Sequence, residues 1–71
     1  MKPNLLKAKL VENGMTPTQL TKKMAKEQVK MSVPSYYQKL RGETEFRRDE
    51  ISALAKVLDL SGDDVLNIFF S

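Results

Sequence analysis

Met15-Thr16-Pro17-Thr18-Gln19-Leu20-Thr21-Lys22-Lys23-Met24, then Met31-Ser32-Val33-Pro34-Ser35-Tyr36-Tyr37-Gln38-Lys39-Leu40 and Arg41-Gly42, decide the fold of this 71-residue chain. Both stretches open on helix-start signals. Thr16 is an N-cap, Pro17 fits the first helical position, where its missing N–H costs nothing, and Gln19 completes a capping box. Ser32 is the second N-cap, with Val33 and Pro34 in the first turn that follows. Leu20 and Met24 share a helical face at i, i+4 spacing, and so do Tyr36 and Leu40. Gly42 stops the second helix. This spacing turns Tyr36 inward and leaves Val33, Pro34, Tyr37 and Gln38 nearer the outside. Residues 25–31 contain no breaker, so nothing in the sequence ends the helix begun at Pro17 before about Gln28.

Further helices are predicted on both sides. One runs from about Pro3 to Asn13, with Leu6 and Leu10 on its apolar stripe and Asn13-Gly14 as its stop. Another covers about Arg48 to Leu58. Its start pairs Phe46 with Ile51 as a hydrophobic staple around an N-cap at Arg47, with Glu50 at N3. Ile51, Leu54, Ala55 and Leu58 form its predicted stripe. Asp49 and Glu50 suit the positive end of the helix dipole; Arg47 and Arg48 oppose it, at a cost of a few tenths of a kcal/mol, roughly, which invites another role for them. The last helix starts at the capping box Ser61-Gly62-Asp63-Asp64 and carries Val65, Ile68 and Phe69. With no strand-like alternation and no internal repeat, the expectation is an all-α fold, a compact five-helix single domain over residues 1–71.

Composition narrows the chemistry. The chain has no cysteine and no histidine, so thiolate or imidazole metal sites and His-assisted catalysis have no residues to work with. The carboxylate pairs Glu43/Glu45 and Asp63/Asp64 sit at helix ends, where capping accounts for them. No metal, cofactor or small-molecule substrate is expected, and the chain is not read as an enzyme. No apolar run approaches the length of a membrane span, and Met1 to Lys7 has no secretory apolar region, so an intracellular, membrane-free binding module is expected. Charge is divided unevenly. Residues 1–48 carry eleven Lys/Arg against four acids, a net of +7, and residues 49–71 one lysine against five acids, a net of −4. A basic front of this kind points to a polyanion or an acidic partner surface.

Residues 15–24, Met31-Ser32 to Leu40, and Gly42 together resemble the helix-turn-helix of phage Cro-type repressors, here with an extended turn. Phe46, Glu50-Ile51, Leu54-Ala55-Lys56 and Leu58 are similar to that family's fourth helix, and Asp64, Ile68, Phe69 and Phe70 to the end of its small members. The resemblance implies that the helix from Pro17 crosses a DNA backbone and that the next enters the major groove. It places Val33, Pro34, Ser35, Tyr37 and Gln38 towards a partner or base edges. It places Thr16, Thr18, Lys39, Arg41, Arg47 and Arg48 towards phosphates or an acidic partner.

Three departures bear on function. About five extra residues, 25–29, stretch the turn. Pro17 stands where family members often carry a phosphate-bracing glutamine. Val33 and Pro34 occupy the leading base-contact positions, and neither makes the bidentate hydrogen bonds that discriminate bases. Their exposed surface, with Tyr37 and flanking basic residues, suits a protein interface. The chain looks like the modulator-of-repression antirepressors of lactococcal temperate phages. That resemblance implies a transcriptional regulator of the lysis–lysogeny switch, acting in the cytoplasm of a bacterial host and docking on the DNA-binding domain of the cognate phage repressor. The other reading is a Cro-like repressor that binds operator DNA itself, as a dimer to which Phe69 and Phe70 contribute.

Overall fold

The computed structural model describes residues 1–70, which form five α-helices and no strand: α1 (Pro3–Glu12), α2 (Pro17–Lys26), α3 (Val33–Leu40), α4 (Arg48–Val57) and α5 (Gly62–Phe69). The molecule measures 26 × 25 × 20 Å. α2 packs against α3 and α4, and α1 lies against α5.

The expected helix starts are present. Thr16 Oγ1 accepts the Gln19 N–H at 3.2 Å, and Gln19 Oε1 accepts the Thr16 N–H at 3.0 Å. Ser32 Oγ accepts the Ser35 N–H at 3.1 Å. Ser61 and Asp64 form the same reciprocal pair, each bond 3.1 Å long. At α4 the Glu50 carboxylate accepts the Arg47 N–H at 2.7 Å, which satisfies one of the helix's orphan donors.

α1 to α4 end alike, each with a left-handed residue whose N–H and whose successor's N–H turn back onto the last helical carbonyls. Glycine fills that position after α1 and α3, as Gly14 (φ 64°) and Gly42 (φ 82°). After α2 it is Gln28 (φ 64°) and after α4 it is Asp59 (φ 54°). The Gln28 N–H reaches the Ala25 carbonyl at 3.0 Å and the Val29 N–H reaches that of Met24 at 3.1 Å. α2 therefore ends at Lys26, earlier than the absence of a breaker suggested. The stop is made without a glycine, so composition gives no sign of it.

The core is built from Leu6 and Leu10 of α1, Leu20 and Met24 of α2, Met31, Tyr36 and Leu40 of α3 and its approach, Ala53, Leu54 and Leu58 of α4 and its cap, and Ile68 of α5. α4 is rotated from the predicted stripe. Its buried residues are Glu50, Ala53 and Leu54, and Ile51 and Ala55 are only half-buried. Ala53 is buried in the core, and Glu50 turns inward because cationic and N–H partners meet it there. The Lys2 N–H donates to the Ile68 carbonyl at 2.7 Å, and Asn13 Nδ2 donates to the Leu58 carbonyl at 3.4 Å, which fix the two ends of α1. Among the described residues no helix is long and apolar enough to cross a membrane.

Candidate functional site

α3 presents one continuous outer row. Pro34, Tyr37, Gln38 and Arg41 follow i, i+3, i+4, i+7 spacing and all are exposed; Val33 and Ser35 beside them are half-buried. The row rests on a buried aromatic support. Tyr36 is 1% exposed, and its ring meets Tyr37 edge-on at 5.5 Å between centroids and Phe46 at 6.4 Å. Phe46 in turn meets Phe69 of α5 at 5.5 Å. Burial, and then the neighbouring Tyr37, raise the Tyr36 hydroxyl above its ordinary pKa of 10.0. Tyr37, 42% exposed, thus stands on a packed ring rather than on a mobile loop. Such pre-organised aromatic area is what protein interfaces use as anchors.

The basic residues around this row are largely engaged. Lys39 is almost wholly covered: its Nζ lies 3.4 Å from Glu50 Oε1 and 3.4 Å from the Glu45 carbonyl. Arg41 donates from Nε to the Glu43 carboxylate. That bond raises the arginine pKa and holds Glu43 below its ordinary value. Arg47 pairs with Asp49 at 3.4 Å and approaches Glu50 at 3.9 Å. Arg48 alone of the four predicted basic contacts makes no ion pair or hydrogen bond among the described residues. Thr16 Oγ1 is spent as an acceptor on its own cap, and Thr18 is exposed at the start of α2. No hydrogen bond or ring contact joins Thr16 or Thr18 to the α3 row among the described residues.

Comparison with protein-family models, curated proteins and solved structures finds no match.

Exposed positive charge without an internal partner lies elsewhere. Lys22, Lys23 and Lys26 on α2, and Lys30 after it, make no ion pair among the described residues. Glu27, the one acid in that stretch, is taken by Lys56 of α4 at 3.3 Å. In the sequence these lysines count towards the basic front of residues 1–48, with no individual role. The run of lysines was visible, but the diversion of Glu27 to a residue twenty-nine positions away was not.

Proposed function

We propose that this protein is a small regulator that works by docking its α3 face on a protein partner, the DNA-binding domain of a helix-turn-helix repressor, as an antirepressor of a phage lysis–lysogeny switch. One observation carries the reading. The outward row of α3 offers Pro34, Tyr37 and Gln38 on an aromatic support, and Lys39, Arg41 and Arg47 beside it are already paired with the chain's own acids. A surface made this way supplies apolar and aromatic contact with little free charge, which suits a protein more than a phosphate backbone.

The unpaired lysines of α2 favour the second reading, direct operator binding, since phosphate contacts need cations free to release counterions. Titration of the purified protein against operator DNA and against the isolated repressor domain, each at two salt concentrations, separates the readings. Binding to the domain without selective DNA affinity supports docking. Tight, steeply salt-dependent and sequence-selective binding to DNA by the protein alone overturns it.

A further inference from the structure

The extended turn has a structural product. Glu27 and Val29, which belong to it, form one wall of an open cleft of about 660 Å³ whose other wall is α4. Arg48, Ser52 and Lys56 follow i, i+4, i+8 spacing along that wall, and Val29 with Ala53 supplies apolar lining. None of the lining residues belongs to α3. The charges are not all available. Glu27 is neutralised by Lys56 at 3.3 Å and Asp49 by Arg47 at 3.4 Å. Arg48 is left unpaired among the described residues, and so are Lys26 and Lys30, which immediately flank Glu27 and Val29 in the chain.

We infer that this cleft is a second docking site, for an acidic peptide segment that sets a carboxylate on Arg48 and an apolar side chain against Val29. The unpaired guanidinium offers the planar donor fork that a carboxylate matches. The apolar lining gives a phosphodiester chain nothing to bind, and of the two cations in the lining Lys56 is taken by Glu27, which leaves Arg48 alone to meet its closely spaced charges. The cleft shares no lining residue with the α3 row, and its ligand goes beyond the docking proposed there.

The test is an amide chemical-shift titration of the full chain with a short, end-blocked peptide of alternating leucine and glutamate. Peptides with glutamine or lysine in place of glutamate, and a short DNA duplex, serve as comparisons. The expected result is selective perturbation of residues 27–30 and 48–56 by the acidic peptide. Arg48→Ala weakens it about fivefold, and Ser52→Glu, which sets a negative charge in the cleft, removes it. Tyr37→Ala leaves it unchanged, so failure here and failure of the α3 reading are distinguishable. No perturbation at these amides, equal binding of the glutamine peptide, retention of binding in Ser52→Glu, or perturbation by the duplex alone would each overturn the assignment.

Discussion

The ammonium of Lys39, near the end of α3, lies 3.4 Å from the carboxylate of Glu50 in the first turn of α4, with 11% and 4% of the two side chains exposed. The same carboxylate accepts the Arg47 N–H at 2.7 Å. One buried acid therefore caps α4 and pins it to the helix that carries the proposed docking row. Its burial also explains the rotation of α4 away from the apolar stripe predicted for it.

Removing one member of a nearly buried pair strands the other charge. Lys39→Met is expected to cost about 3 kcal/mol of stability in urea denaturation, at the lower end for such pairs because Glu50 keeps its backbone donor and the Arg47 guanidinium 3.9 Å away. Lys39→Met combined with Glu50→Gln leaves no stranded charge and keeps the cap, and should return to within about 1 kcal/mol of the parent. A loss below about 0.5 kcal/mol in the single variant would mean that the pair is solvated rather than internal.

Gln28 occupies a left-handed position at φ 64° that α1 and α3 fill with glycine. Side chains with a Cβ pay about 1–2 kcal/mol there, and glycine gives back about 0.5–1 kcal/mol through its looser unfolded chain. Gln28→Gly should therefore stabilise the protein by about 0.5–1 kcal/mol, and Gln28→Val should destabilise it. No gain on Gln28→Gly in thermal or urea unfolding would place the end of α2 elsewhere.

These two positions mark what the sequence makes legible. Caps at Thr16, Ser32 and Ser61 were readable because the hydroxyl and its N–H partner lie three residues apart. Tyr36 and Tyr37 separated correctly into inner and outer residues because helical geometry turns adjacent side chains by a fixed angle. The end of α2 was not readable because Gln28 does by backbone strain what a glycine would have advertised. Nor were the engagement of Lys39 and the burial of Glu50, since each depends on an approach between helices that local pattern does not encode. For the candidate site this matters most: the basic residues around α3 were visible as charges, but their internal partners were not.

Asp64 supplies a pH-dependent element. Its carboxylate accepts the Ser61 N–H, faces the Ser61 hydroxyl and lies 3.6 Å from Lys9, and these interactions hold it below its ordinary pKa of 3.8. A depressed carboxyl stabilises the folded state above its unfolded pKa, and that contribution fades as pH falls through the folded value. The stability difference between the parent and Asp64→Asn should therefore be constant near neutrality and shrink below about pH 4. A difference that does not change on acidification would show that the cap works equally well without charge.

The two adjacent tyrosines offer the sharpest separation of fold from function. Tyr36 is 1% exposed and touches both Tyr37 and Phe46, so Tyr36→Ala opens a cavity and is expected to cost about 3–5 kcal/mol, enough to unfold much of a domain this small. Tyr37 is 42% exposed, and Tyr37→Ala forfeits only an edge contact, about 0.5–1.5 kcal/mol. If α3 docks on a repressor domain, Tyr37→Ala should weaken that complex about tenfold or more while urea unfolding and helical circular dichroism stay close to the parent. Gln38→Ala, on the same row, should weaken it less, since a single neutral hydrogen bond contributes about 1 kcal/mol. Unaltered affinity in Tyr37→Ala, with the fold intact, would remove the α3 row from the interface and leave the unpaired lysines of α2 as the surface to pursue.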